Sequence, residues 1–131
     1  MKQFLFSYIA AGVVFISCDA VWLSVMGPRL YKPLLQGLLS DTVRPTPAVL
    51  FYVLYITGIV IFAVLPSSRP LLAFGRGALF GLVAYATYDL TNQATLRTWP
   101  ALLTVVDLSW GALVTGVAAV VAYMICIKQI I

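Results

Sequence analysis

The sequence contains no histidine and no glutamate, so all four of its acidic residues are aspartates. They are Asp19, Asp41, Asp89 and Asp107. Without histidine the chain cannot form a Ser-His-Asp triad, a histidine-containing zinc site or a histidine-ligated haem. These three kinds of site are therefore excluded.

Charge of either sign is also scarce. Only 9% of the residues are charged and 63% are hydrophobic, whereas about a quarter of residues are charged in soluble proteins. The eight Lys and Arg residues, which give a net charge of +4, are scattered along the chain. A nucleic-acid interface would need a basic patch. We therefore expect a protein that has the lipid bilayer as its solvent and binds no nucleic acid.

Four hydrophobic runs are long enough to cross a bilayer as helices, because ~30 Å of hydrocarbon at 1.5 Å per residue requires about 20 residues. They cover residues 4–26, 48–65, 71–90 and 100–127. No linker rich in Pro, Gly or Ser divides them, which predicts a single integral membrane domain over residues 1–131. Lys and Arg number four on each predicted side, so the positive-inside rule does not set the orientation.

The connection after the first span has its own pattern. Gly27 and Pro28 are predicted to end that span, and leucines then recur at helical spacing around Tyr31 up to Leu39. This pattern is typical of a short amphipathic helix that lies on the bilayer surface. The predicted fold is thus all-α: a four-helix transmembrane bundle with a short interfacial helix between the first and second spans.

Three aspartates fall inside the predicted spans, where a charged side chain costs about 2.5 to 3.5 kcal/mol on insertion scales. Asp19 lies seven residues before the end of the first span, and Asp107 lies seven residues after the start of the fourth. Because these two spans run in opposite directions, both carboxyl groups are expected ~10 Å below the same membrane face. Asp89, near the end of the third span, is expected close to that face as well.

Aromatic and amide side chains accompany these aspartates. Asp19 shares a helix face with Trp22, and Asp107 shares one with Trp110, so an Asp-x-x-Trp pattern occurs on two antiparallel helices. On the third span a G-x-x-x-G pair, Gly77 and Gly81, predicts close approach of another helix. The predicted site residues are Asp19, Trp22, Tyr52, Tyr55, Tyr85, Tyr88, Asp89, Asn92, Asp107 and Trp110.

Several segments resemble one known family. They are residues 85–95 (YATYDLTNQAT), 18–23 (CDAVWL), 51–52 (FY), 77–81 (GALFG) and 107–111 (DLSWG). Together they make the chain similar to the DUF2177-type family, which groups small bacterial membrane proteins as a domain of unknown function. The resemblance covers essentially the whole chain and implies a four-helix, multi-pass protein of the bacterial inner (cytoplasmic) membrane. It implies no activity, cofactor or catalytic residue.

Three functions are compatible with these patterns. The first is binding or transport of a cation, a proton or a small amphiphile at an intramembrane Asp/Tyr/Trp site. The second is an intramembrane enzyme acting on a lipid or polyprenyl substrate, with the aspartates and Asn92 holding Mg²⁺ or two carboxyls working as acid and base.

The third is an accessory subunit of a membrane complex, in which the polar layer only fixes helix register. We rank binding or transport first, because apolar residues would pack the helices at a lower free-energy cost than buried carboxyls. A homodimer would also suit a site on so small a bundle, with Ala112, Gly116 and Ala119 as its contact face.

Overall fold

The computed structural model describes residues 1–128, which form helices and connecting turns without a strand. The four long helices are α1 (Lys2–Met26), α2 (Pro45–Gly58), α3 (Pro70–Thr95) and α4 (Ala101–Lys128). Helix α2 continues as a π-helix over Ile59–Val64. All four helices are long and apolar enough to cross a membrane, which confirms the predicted all-α transmembrane architecture.

Prolines set the starts of these helices. Helix α2 begins at Pro45 and helix α3 at Pro70, each after an extended arginine. Proline suits the first helical turn because its missing N–H would have no partner there and its φ angle is already helical. At the other end, α3 runs five residues beyond the predicted limit of residue 90, to Thr95.

The first helix does not end at Gly27 and Pro28, contrary to the sequence prediction. It continues as a π-helix over Gly27–Tyr31 and as a short α-helical piece over Lys32–Leu34. The Lys32 N–H donates to the Gly27 carbonyl, and the Leu35 N–H donates to the Tyr31 carbonyl at 2.9 Å. A proline inside a helix removes one donor and crowds the preceding turn, and a wider π turn accommodates both effects.

The expected interfacial helix is therefore not a separate element. Residues 27–34 extend α1, and the chain then turns at Gly37, whose φ of +83° is a left-handed conformation that suits glycine. The consequence is that Tyr31, assigned to the surface helix from its sequence pattern, belongs to the first spanning helix.

Helix α4 lies at the centre of the bundle and is the most buried of the four. It packs along α3, against α1 and against the π-helical end of α2. The core holds Phe15 of α1, Ile59 of α2 and Val114 of α4, together with small residues such as Ala118. Large apolar side chains such as Leu54, Phe62, Leu79 and Val105 remain on the outside, as expected for a multi-pass protein in lipid.

The contact between α3 and α4 depends on the absence of side chains at Gly77 and Gly81. A Cβ atom at Gly77 would lie 2.7 Å from the Ala119 Cβ, and a Cβ at Gly81 would overlap the Gly111 carbonyl oxygen. The predicted close approach at the G-x-x-x-G pair is thus confirmed, and its partner helix is α4 of the same chain.

This packing corrects the expected dimer face. Ala119 is fully buried against Gly77, and a Cβ at Gly116 would lie 2.8 Å from a ring carbon of Phe74. Two of the three small residues expected to contact a second copy therefore face α3 within the bundle.

Candidate functional site

A cavity of about 260 Å³ opens among the four helices, next to the C-terminal parts of α1 and α3 and the N-terminal parts of α2 and α4. Seven predicted site residues line it: Asp19, Trp22, Tyr55, Tyr85, Tyr88, Asp107 and Trp110. Leu23, Tyr31, Phe51 and Ala84 complete the wall and were not among the predicted site residues. The structure thus brings two of the three intramembrane aspartates to one aromatic-walled space.

Asp19 is 7% exposed, and its carboxyl accepts hydrogen bonds from two other helices. The Tyr52 hydroxyl donates to its Oδ2 at 2.6 Å, and the Trp110 indole N–H donates to its Oδ1 at 3.5 Å. Tyr52, a predicted site residue, does not line the cavity but holds this carboxyl from outside the wall. The carboxyl therefore joins α1 to α2 and α4 while one side of the residue faces the cavity.

The Asp107 carboxyl, 6% exposed, accepts a hydrogen bond from the Tyr31 hydroxyl. The same hydroxyl accepts one from the Trp22 indole N–H at 2.8 Å. A chain of two hydrogen bonds thus runs from Trp22 through Tyr31 to Asp107 and links the extended end of α1 to α4. In such a chain each bond polarises the next, which strengthens both.

Tyr31 reaches this position because of the π turn. Trp22 and Tyr31 are nine residues apart, which is about two and a half turns of a regular α-helix and would place them on opposite faces. The extra residue in the π turn over Gly27–Tyr31 rotates Tyr31 back toward the face of Trp22. Regular helical spacing carries no signal of this rotation, so a search for side chains at that spacing misses Tyr31.

The two tryptophans of the Asp-x-x-Trp pattern stack face to face. Their ring centroids are 4.4 Å apart and the planes differ by 7°. Trp110 of α4 donates to Asp19 of α1, while Trp22 of α1 reaches Asp107 of α4 through Tyr31. The repeated pattern therefore forms a reciprocal link between two antiparallel helices, in which each indole serves the aspartate of the other helix.

Asp89 differs from the other two aspartates. Its side chain is completely buried, it does not line the cavity, and neither carboxyl oxygen has a hydrogen-bond partner among the described residues, Arg97 included. Asp107 of α4 is its acidic neighbour. An ionised carboxylate without a partner is very costly in such a place.

The remaining predicted residues lie in or near the wall. The Tyr55 hydroxyl is 2.7 Å from the Thr115 hydroxyl, and the ring of Tyr85 packs on the backbone of Gly111, where a Cβ would overlap it. Tyr88 is exposed and meets Trp99 edge to face, with centroids 5.6 Å apart. Asn92, one turn beyond Tyr88 on α3, lies outside the wall.

The arrangement of acidic groups bears on the Mg²⁺ alternative. Within the described part of the chain, no three Asp, Glu, Cys or His residues come together in a group that could hold a metal ion. Asp19, Asp89 and Asp107 therefore do not surround a common ion position. The alternative in which these aspartates and Asn92 hold Mg²⁺ therefore gains no support from this geometry.

Comparison with known proteins gives one result. No curated protein and no solved structure matches the chain. A family model described as a predicted membrane protein, DUF2177, matches residues 4–124, which is nearly the entire chain. The chain therefore belongs to the DUF2177 family of predicted membrane proteins.

Proposed function

We propose that this protein binds a small organic cation in the acidic, aromatic cavity. The observation that carries the proposal is the composition of the wall, which combines two aspartates with two tryptophans and four tyrosines. Among the described residues that form it there is no lysine or arginine. Aromatic faces attract cations through the ring quadrupole, and aromatic cages are used to recognise quaternary ammonium groups.

The size of the cavity favours an organic cation over a bare metal ion. Its volume is about 260 Å³, while a water molecule in the liquid takes ~30 Å³. The space therefore suits a group of several non-hydrogen atoms, such as an ammonium head with methyl substituents. The absence of a three-carboxylate cluster among the described residues supports the same choice.

The accessory-subunit alternative predicts a dry layer in which every aspartate is paired within the chain. Asp19 and Asp107 do accept hydrogen bonds from Tyr and Trp, which fits that alternative. A cavity beside both carboxyls is not needed to fix helix register, however, and favours a ligand. We infer further that Asp89, whose buried carboxyl has no other partner among the described residues, shares a proton with its neighbour Asp107. Such a proton beside the cavity suits exchange of a cation for a proton.

We also propose a membrane location and an oligomeric state for the protein. We assign it to the bacterial cytoplasmic membrane, because proteins of the bacterial outer membrane are typically β-barrels and this bundle is helical. We propose that the protein forms a homodimer, because four helices leave little room for a pathway across the bilayer. Membrane fractionation and light scattering of the detergent-solubilised protein test these two points, and outer-membrane fractionation or a strict monomer would contradict them.

The test of cation binding is a calorimetric titration of the purified protein in lipid nanodiscs with choline. The matched ligand is 3,3-dimethylbutan-1-ol, which has the shape of choline without its charge. We expect saturable binding of choline and much weaker binding of the neutral alcohol. Equal binding of both, or no saturable binding of either, would contradict the proposal and leave the accessory-subunit function ahead.

Variants locate the binding site. Asp19→Asn and Asp107→Asn should each weaken choline binding by about tenfold or more, since an interaction with a charged group is worth about 1.5 to 3 kcal/mol and about 1.4 kcal/mol is a factor of ten. Asp41→Asn is the control, because Asp41 is exposed in the connection after α1 and does not line the cavity. An equal loss in all three variants would indicate a general effect of charge and not a site.

A further inference from the structure

The stacked pair Trp22 and Trp110 separates two spaces. On one side is the acidic cavity. On the other is an apolar groove of about 490 Å³ between α1 and α4, which we call the outer groove; its wall includes Cys18, Val21, Val25 and Met26 with both tryptophans. The same two indole rings thus form part of both walls.

The outer groove faces the surrounding lipid. Its residue Val21 is 64% exposed, and Val25 is exposed as well. The groove follows α1 from Ser17 to Met26, a rise of roughly 13 Å at 1.5 Å per residue. Its shape and apolar wall suit an alkyl chain that lies along the helix.

We propose that the ligand of this protein is a single-chain cationic amphiphile that binds across the tryptophan pair. Its ammonium head lies in the acidic cavity near Asp19 and Asp107, and its alkyl chain lies in the outer groove. The ligand reaches the cavity from the bilayer, between α1 and α4. This inference rests on the proposed cation binding and adds the chemical class of the ligand and its path.

The hydrogen bonds of the pair fit such a path. Trp110 is joined to Asp19 by a long bond of 3.5 Å, which is at the limit of a hydrogen bond and therefore weak. A cation that arrives at Asp19 competes for the same carboxyl and releases the indole of Trp110. Trp22 is held more firmly, at 2.8 Å from the Tyr31 hydroxyl. Trp110 is accordingly the ring that moves.

A second apolar groove on the same helix provides a contrast. It lies between α1 and α2 and includes Val13 and Tyr52 in its wall. Of its wall residues, none lines the acidic cavity. The Tyr52 side chain, which donates to Asp19, lies between that groove and the carboxyl. The outer groove, in contrast, shares two wall residues with the acidic cavity and is the one that continues into it.

The experiment compares Val21→Trp with Val13→Trp in nanodiscs of one lipid composition. Both valines are on α1 with similar exposure, 64% and 61%, and they line the outer groove and the contrasting groove respectively. The probes are decyltrimethylammonium and tetramethylammonium. Because both variants face the same lipid, partitioning of the decyl chain into the bilayer cancels in the comparison.

We expect Val21→Trp to weaken decyltrimethylammonium binding by about tenfold and to leave tetramethylammonium binding unchanged. Val13→Trp should affect neither. If both probes bind and Val21→Trp changes neither affinity, the outer groove holds ordinary lipid only and this inference fails while cation binding stands. If neither probe binds the unsubstituted protein, the proposed function fails as well.

Cys18 supplies an independent measurement inside the outer groove. It is partly exposed there, whereas Cys126 is buried, so Cys126→Ala leaves a single thiol to follow. Decyltrimethylammonium should slow maleimide modification of Cys18, and tetramethylammonium should not. The protection should disappear in Asp107→Asn. Equal protection by neutral decanol, or protection that persists in Asp107→Asn, would overturn the inference.

Discussion

The Tyr31 hydroxyl donates to the Asp107 carboxyl across 76 residues of sequence and ties the extended end of α1 to α4. It also accepts from the Trp22 indole, so it is the middle member of a hydrogen-bond chain beside the cavity. Tyr31 therefore both positions one of the two carboxyls in the wall and contributes its own ring to that wall.

Tyr31→Phe should lower stability by about 1 to 3 kcal/mol, because the substitution keeps the ring but leaves Asp107 and the Trp22 N–H without this partner. The measurement is reversible unfolding in mixed detergent, followed by circular dichroism. Tyr8→Phe is the control, since the Tyr8 hydroxyl makes one long bond of 3.3 Å to the Val53 carbonyl. A similar loss of stability in the two variants would show that the hydrogen-bond chain stabilises the fold no more than the single Tyr8 bond does.

The sequence predicts the four helices well, because hydrophobic length is the main determinant of a spanning helix. Regular helical spacing also places Asp19, Trp22, Asp107 and Trp110 on the helix faces that line the cavity. The end of α1 was predicted wrongly, because Gly27 and Pro28 normally stop a helix and a π turn leaves no periodic signal. Phe51 and Ala84 were missed because their residue types mark no chemistry and only packing brings them to the wall.

The expected dimer face shows a second feature that sequence spacing does not predict. Small residues on α4 indicate close helix contact, but spacing alone does not say whether the partner helix belongs to the same chain. Ala119 meets Gly77 of the same bundle. The small residues thus mark a close helix contact, but the helix they contact is α3 of the same chain and not a second copy.

Gly81→Ala should destabilise the bundle by at least about 2 kcal/mol, because the new Cβ overlaps the Gly111 carbonyl and forces α3 away from α4. Gly75→Ala on the same helix is the matched control. Nothing lies within 4 Å of a Cβ at Gly75, so alanine there should be neutral or stabilise by up to about 1 kcal/mol through its better helix propensity. Thermal unfolding in detergent measures both, and equal shifts would contradict the close contact.

Asp89→Asn should keep both the fold and choline binding. A protonated carboxyl and an amide are similar in size, and the amide N–H₂ can replace the donor that Asp89 offers to Asp107. Infrared spectroscopy at neutral pH supplies the direct evidence: the carboxylic acid C=O stretch should be present in the unsubstituted protein and lost in Asp89→Asn. Asp41→Asn, which changes an exposed carboxyl, should leave that band in place.

If the acid band is absent at neutral pH, both carboxyls of the pair are ionised and the shared proton does not exist. If the band is present but survives in Asp89→Asn, the proton belongs to another group. Asp89→Leu completes the series, because it removes the donor while filling the space. We expect it to weaken choline binding, because Asp107 loses the donor that orients it. Unchanged binding would show that Asp89 is a packing residue only.

Trp22→Phe and Trp110→Phe should each reduce the change in tryptophan fluorescence that choline produces, whereas Trp99→Phe should preserve it. The first two rings line the cavity as a stacked pair. Trp99 lies outside its wall, beside Tyr88, and donates to the Thr104 hydroxyl at 3.1 Å. Loss of the signal in Trp99→Phe alone would indicate that the cation binds near the connection between α3 and α4. Loss of the signal in Trp22→Phe and Trp110→Phe would support a cation held between the two aspartates. The Trp110 indole donates directly to Asp19, and the Trp22 indole donates to the Tyr31 hydroxyl, which binds Asp107.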